Sequence, residues 1–287
     1  MRAKYKNDSR LRFIIGDVRD KNILSLSMKN VDYVFHLAAL KHVPVCEENT
    51  WEAVLTNIYG TQNVIEAAIE NDVKKVIDIS TDKAVDPFNH YGVTKANSEK
   101  MITNASFNYI TETKFVCIRG GNVLGTNGSV IPLFKNQILS ENKITVTDPA
   151  MTRYLMSTKE AIDLVFEAVK RSIGGEIFVM RMPATSVKNI ASSMIEIFGN
   201  TDTSTEIIGS RPGEKLDEVL VSKNEAPFTK IIDSKYYVVL PQKFNEILDS
   251  NYSAFKNIET NEFNSRNADQ LSTDDLIKIL KNEKWLM

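Results

Sequence analysis

Lys75-Val76-Ile77-Asp78-Ile79-Ser80-Thr81-Asp82-Lys83-Ala84, followed shortly by His90-Tyr91-Gly92-Val93-Thr94-Lys95, is the stretch whose reading decides the fold. The run 75–79 reads as a buried strand. Residues from His90 to about Tyr109 read as a helix. Tyr91 and Lys95 then lie one turn apart on the same helix face. A free tyrosine titrates near about 10, and a nearby ammonium favours its phenolate, giving a usable base near neutrality. The Ser80 or Thr81 hydroxyl at the strand end could bind the same substrate oxygen. Tyr-x-x-x-Lys alone carries little information, because Tyr252 and Lys256 repeat it by chance. The place of the first copy, after a strand ending in Ser-Thr-Asp-Lys, gives it weight.

The surrounding chain alternates strands with helices. Leu11 to Ile15 reads as a strand ending at Gly16-Asp17-Val18-Arg19-Asp20, followed by a short helix over about 21–28. Tyr33 to Ala39 reads as a strand whose small Ala38 and Ala39 suit close approach of a ligand. A long helix spans about Trp51 to Asn71, and Lys114 to Arg119 is another strand. This alternation predicts a Rossmann-like parallel sheet with helices on both faces. Ligands bind such sheets beyond the C-terminal strand ends. Asp17-Val18, Ala38 to Lys41, Ser80 to Lys83 and Arg119 to Val123 all fall at such ends.

Beyond Gly125 the pattern predicts helices over 130–139, 159–171 and 187–198. It predicts strands over 143–147, 176–180, 228–232 and 236–240, with a helical tail over 274–280. Met151 to Tyr154 reads as the lead-in to a helix, and Arg211 to Lys215 as a loop. The expected division is a Rossmann-like cofactor domain over 1–125, with parts of 150–182, and a smaller α+β substrate lobe with tail over 126–287.

Composition narrows the function. With 43% hydrophobic and 25% charged residues and a net charge of −2, the chain offers no reason to expect nucleic acid or an anionic membrane as partner. No apolar run approaches the roughly 20 residues of a membrane span, and no signal-peptide core opens the sequence. The expectation is a cytoplasmic enzyme. Cys46, in an expected loop, and Cys117, in an expected strand, give neither a metal site nor a disulfide framework. Three scattered histidines (His36, His42, His90) also argue against a bound metal. Trp51 and Met156 are expected in the core.

Gly120-Gly121-Asn122-Val123-Leu124-Gly125-Thr126-Asn127-Gly128 is neither G-x-G-x-x-G nor a P-loop, and it follows a late strand. It reads as a flexible substrate-side loop or a plain glycine-rich turn. No glycine-rich turn stands near residue 1, where a dinucleotide pyrophosphate would meet a helix N-terminus.

At this point the chain resembles the extended short-chain dehydrogenase/reductases, and within them the inverting UDP-N-acetylglucosamine 4,6-dehydratases of bacterial surface-sugar synthesis. The likeness is carried by Gly16-Asp17-Val18-Arg19-Asp20, Ala38-Ala39-Leu40-Lys41-His42-Val43-Pro44, Ser80-Thr81-Asp82-Lys83-Ala84 and the Tyr91/Lys95 pair. It continues through Gly128-Ser129-Val130-Ile131-Pro132, Met151-Thr152-Arg153, Arg211-Pro212-Gly213-Glu214-Lys215 and Asn264-Ser265-Arg266-Asn267. Family members open with a strand, a glycine-rich turn, a helix and a second strand. The resemblance therefore implies an N-terminally shortened chain with Leu11 to Asp17 as the family's third strand.

The resemblance implies internal redox with NADP (NAD possible) on UDP-N-acetylglucosamine: oxidation at C4, loss of water across C5–C6, reduction at C6. Tyr91 would take the O4 proton, with Lys95 lowering its pKa and holding the nicotinamide ribose, and Thr81 would bond O4. Asp82 would act as general acid on O6 and Lys83 as base at C5, which requires a neutral Asp and a neutral Lys. Asp17 and Val18 would meet the adenine; Ala38, Ala39, Ser80 and Val123 would line the nicotinamide side, with Lys41 near cofactor or sugar. Asn122, Ser129, Met151, Arg153, Arg211 and Glu214 would be substrate-side, the arginines suiting a UDP diphosphate. A homo-oligomer is implied for the intact enzyme. Two departures stand out: Arg119-Gly120-Gly121-Asn122 replaces the family's Arg-Tyr-Gly-Asn, and an arginine common in segment 125–128 is missing. The alternatives are a UDP-N-acetylhexosamine 4-epimerase and a catalytically inactive remnant.

Overall fold

The computed structural model describes residues 8–126, 129–242 and 245–282. Its centre is a six-stranded sheet built around the strand read first. That strand, β2 (Lys75–Thr81), lies between β1 (Tyr33–His36) and β3 (Lys114–Gly120), both parallel to it. The Ile177–Met180 strand continues the parallel set beside β3. Tyr236–Val239 and then Thr229–Ile231 close that side antiparallel. The mostly parallel α/β sheet read from the sequence is present, with an antiparallel pair at one edge.

Alternation along β2 explains the helices on both faces. Lys75 donates through Nζ to the carbonyls of Val169 and Ser172 at the end of the Thr158–Arg171 helix. Asp78, an even-numbered neighbour, faces Lys95 on the His90–Asn108 helix. Successive strand residues point to opposite faces, so the two helices sandwich the sheet. The main apolar cluster joins Ile77, Phe115, Val116, Phe178, Val179 and Val238 to these helices. A second cluster gathers Ile131, Phe134, Ile144, Met151, Ile190 and Met194 around the Val130–Glu141 and Val187–Phe198 helices.

Several expectations are corrected. Leu11 to Ile15 forms no strand: the segment is exposed, and no neighbouring strand among the described residues accepts its backbone bonds. β1 ends at His36, leaving Ala38 and Ala39 in the loop beyond. Cys46 sits in a Val43–Glu48 helix rather than a loop; it and Cys117 are buried free thiols. Met156 is core, but Trp51 is 61% exposed and meets Tyr59 edge-on instead of packing inside. Met151 to Tyr154 does precede the Thr158–Arg171 helix, and Thr152–Met156 is itself a strand the sequence reading did not name, pairing with Asn122–Val123 and Ala184–Ser186. The long helix over Thr50–Glu70 contains a π turn, Leu55–Tyr59. Tyr252 bonds the buried Glu176 carboxylate, so that second Tyr-x-x-x-Lys serves the core. Asn127, Gly128 and residues 283–287 lie outside the described residues.

Candidate active site

The C-terminal end of β2 turns directly into a single 3₁₀ turn, Asp82–Ala84. Thr81 caps that turn through Lys83 N, and its hydroxyl donates to Asp82 Oδ1 at 2.8 Å. Asp82 is 1% exposed, and the same Oδ1 accepts from Lys83 Nζ at 3.1 Å. Neighbours in sequence would normally diverge; the tight turn folds the lysine back over the aspartate.

The Tyr91 helix can approach this turn only because residue 92 is glycine. A Cβ there would stand 2.3 Å from the Lys83 carbonyl oxygen. Asn89 caps the helix through Gly92 N and donates through Nδ2 to the Gly213 carbonyl. Gly213 has φ +83, the left-handed region glycine allows, and so brings the Arg211–Lys215 loop onto the helix start. Lys215 Nζ completes the clamp on the Val85 carbonyl at 2.7 Å.

Tyr91 is buried beside Thr81 and the Asp82–Lys83 turn. Burial raises its pKa, and the Lys95 and Lys83 ammonium groups only partly offset that rise. Lys95 does act on Tyr91 in the expected, lowering direction, but burial outweighs it and the net shift is upward. Lys95 is itself 3% exposed and bonded to Asp78, with Nζ 3.2 Å from Oδ2. Burial would depress the Lys95 ammonium, but Asp78 outweighs it and holds the pKa above the ordinary lysine value. His36 Nε2 lies 3.9 Å from Asp78, and burial keeps the imidazole below its usual pKa.

Ser80 is buried with its hydroxyl unpartnered, as is Asp82 Oδ2. Buried polar atoms without a bond partner are rare, and two of them here mark a place where a ligand or water can bond. Ala38 is exposed and Ala39 half-buried beyond β1. The loop after them is held by Asn57, in the π turn, whose side chain bonds both the N–H and the carbonyl of Leu40 and also Thr94 on the Tyr91 helix. Sequence reading missed Asn57 as a positioning group; a buried asparagine inside a π turn is its only signal. Lys41 is exposed at the loop's end.

Other expected residues divide. Arg153 reaches the site: Nε stands 3.7 Å from Glu218 Oε1, and Nη2 meets Met151 Sδ at 3.1 Å. Met151 is buried, while Asn122, Val123 and Ser129 are half-buried. Arg211 is exposed, bonded by its own N–H to Glu214. Asp17 is exposed and tied to Arg19, with Val18 packed against Gly60. Arg119 does not open toward the site: it is 3% exposed and locked between Glu99 and Glu225. Glu218, which the sequence did not single out, is 3% exposed with Oε1 3.8 Å from Lys83 Nζ.

The family model described as polysaccharide biosynthesis protein matches residues 1–240. The UDP-N-acetylglucosamine 4,6-dehydratase (inverting) of Campylobacter jejuni is 43% identical over 239 residues, covering 82% of this chain and 69% of that protein. The UDP-glucose 4-epimerase of Rickettsia felis is 41% identical over 283 residues, 96% of this chain and 81% of that one. The X-ray structure of Pen from Bacillus thuringiensis superposes with a TM-score of 0.89 at 40% identity, covering 98% of this chain and 85% of that one.

Proposed function

The chain belongs to the polysaccharide biosynthesis protein family, and from that membership we propose that it is a 4,6-dehydratase of UDP-N-acetylglucosamine that inverts C5. The observation that carries this reading is the buried Asp82–Lys83 contact at 3.1 Å beside Tyr91. Removing water across C5–C6 needs an acid at O6 and a base at C5, whereas C4 epimerisation needs neither.

The nicotinamide side of an NADP or NAD site fits the residues present. Ser80 offers a buried unpartnered hydroxyl, Ala38 and Ala39 are small, and Lys95 is buried beneath Tyr91. When bound, the cofactor supplies oxidation at C4 and reduction at C6. Lys95 would hold its ribose, and Asp17 and Val18 its adenine. Tyr91 takes the O4 proton, with Thr81 bonding the same oxygen. Asp82 gives a proton to the departing O6 hydroxyl, and Lys83 takes the C5 proton. The ion pair seen in the structure differs from the neutral pair only by one proton crossing the 3.1 Å contact, so the two roles exchange without net charge change.

On the substrate side, Arg153 and Arg211 suit the diphosphate, with Asn122, Ser129, Met151 and Glu214 around the nucleotide sugar. This reading divides the chain into a cofactor domain over 1–125, with parts of 150–182, and a substrate lobe over 126–287. It includes a cytoplasmic location and, for the intact enzyme, a homo-oligomer. Among the described residues no helix is long and apolar enough to cross a membrane.

A second reading, a UDP-sugar 4-epimerase, is favoured by the Rickettsia relative. The product separates them. Loss of water with deoxygenation at C6 supports the dehydratase; a C4 epimer that keeps every oxygen supports the second reading.

A further inference from the structure

Lys83 is gripped by a second carboxylate from far along the chain. Glu218 enters from the segment just before the Val219–Val221 strand, and its backbone N–H is pinned by Ser265 Oγ at 2.8 Å. Ser265 is in turn bonded to the Thr152 hydroxyl, and the latter to Asp217. Glu218 Oε1 then stands between two cations, 3.8 Å from Lys83 Nζ and 3.7 Å from Arg153 Nε. Its other oxygen, like Asp82 Oδ2 and the Tyr154 hydroxyl, is buried without a partner. Two buried carboxylates thus share Lys83 and Arg153, and burying such charges is repaid only where the pairing geometry is good and the remaining oxygens are bonded.

We propose that Glu218 is a positioning residue of this site, which holds the Lys83 ammonium opposite Asp82 and so fixes where the Asp82–Lys83 pair keeps its proton. This rests on the reaction proposed above. An anion near Lys83 strengthens it as a base, and in the same step keeps the resting proton on nitrogen rather than on Asp82. Arg153 opposes that bias from the other side of Glu218. The remaining charged and titratable groups around the cluster are Tyr91 on the His90–Asn108 helix, Tyr154 on the Thr152–Met156 strand, Lys215 and Asp217 ahead of Glu218, and Glu262 and Arg266 flanking the Phe263–Asn264 strand. Burial would depress the Lys83 ammonium, but Asp82 and Glu218 together hold it above the ordinary lysine value. Burial and Asp82 push the Glu218 carboxyl up, against the pull of the nearby cations.

The test uses the full chain with its lysines reductively methylated with ¹³C, the Lys83 resonance being assigned by its loss in Lys83→Arg. Glu218→Gln keeps the shape and removes the charge. An opposite charge at this range is worth about 1–3 pH units, so the Lys83 midpoint should fall by at least about one unit. The alkaline limb of the pH–rate profile should fall with it. Glu218→Asp, which keeps the charge, should hold the midpoint closer to wild type than Glu218→Gln does. Arg153→Gln, which removes the opposing cation, should move it up, and this variant carries the test if Glu218→Gln does not fold. An unmoved Lys83 midpoint in Glu218→Gln overturns the proposal, as does a moved midpoint with an unmoved alkaline limb. If the chain dehydrates no nucleotide sugar, the proposed reaction fails on its own, while the Lys83 titration still reports whether Glu218 fixes the proton.

Discussion

Arg119→Met tests how the C-terminal segment is fastened beside the site. Arg119 donates to Glu99 at 2.8 and 2.6 Å, to Glu225 at 2.9 and 2.8 Å, and to the Leu220 carbonyl at 3.1 Å. Those bonds tie the end of β3 to the segment 220–225 that follows Glu218. Methionine fills much of the space but leaves the buried Glu99 carboxylate and the half-buried Glu225 carboxylate facing each other without a cation. Breaking a buried pair in this way costs about 3–5 kcal/mol. With an unfolding entropy of about 2.1 cal/mol/K per residue over 287 residues, about 0.6 kcal/mol corresponds to one degree, so Tm should fall by about 5–8 °C.

The pH dependence carries a sign as well. Burial would raise the Glu225 carboxyl, but Arg119 outweighs it and holds the pKa below the ordinary glutamate value of 4.5. A depressed carboxylate contributes stability above its unfolded pKa and loses it as pH falls through its folded value. In the variant only the two Ser222 hydrogen bonds remain to oppose burial, so the Tm gap should be widest near neutral pH and narrow as pH falls toward 4.5. Calorimetry from pH 7 down to about 5 measures both quantities. A fall of less than about 2 °C at pH 7, or a gap that widens in acid, would refute the reasoning.

Two other perturbations probe the site's scaffold. Gly92→Ala places a Cβ 2.3 Å from the Lys83 carbonyl, and overpacking of this kind costs about 1–3 kcal/mol. Its Tm should fall and the Asp82–Lys83 turn should be displaced, with loss of turnover; unchanged Tm and activity would contradict the packing described. Asp78→Asn leaves the Lys95 ammonium buried without its carboxylate. Because the folded Lys95 pKa is raised, the stability it contributes is full below 10.5 and is lost as pH rises through the folded value. In the variant burial depresses the unpaired ammonium, so the gap in urea midpoint between wild type and Asp78→Asn should be largest at the lower end of a series from about pH 8 to 11 and shrink as pH rises. A gap that grows with pH would show that Asp78 is not stabilising an ammonium.

Local pattern made the strand-helix unit at 75–108 legible. Its strand is an apolar run, and its helix begins at an Asn cap with Tyr91 and Lys95 one turn apart. Where tertiary contact decides, the sequence misled. Leu11 to Ile15 has strand composition, but a strand needs a neighbour. Thr152–Met156 is buried nearly throughout, so no period-2 alternation announces it. Trp51 is apolar, yet it lies on an outer helix face. Glu218 gives no local signal, because what places it at the site is a contact with Lys83 from far along the chain. Conversely, the tie between Arg119 and two glutamates shows how a charged residue at a strand end can serve structure rather than ligand.

The most direct test of the central claim is the product formed from UDP-N-acetylglucosamine and NADP⁺ in deuterated water, followed by NMR and mass spectrometry. The account predicts loss of one water, a keto group at C4, a methyl at C6, and solvent deuterium at an inverted C5. Cofactor binding that yields only the C4 epimer, with C6 still oxygenated and no deuterium at C5, would contradict it.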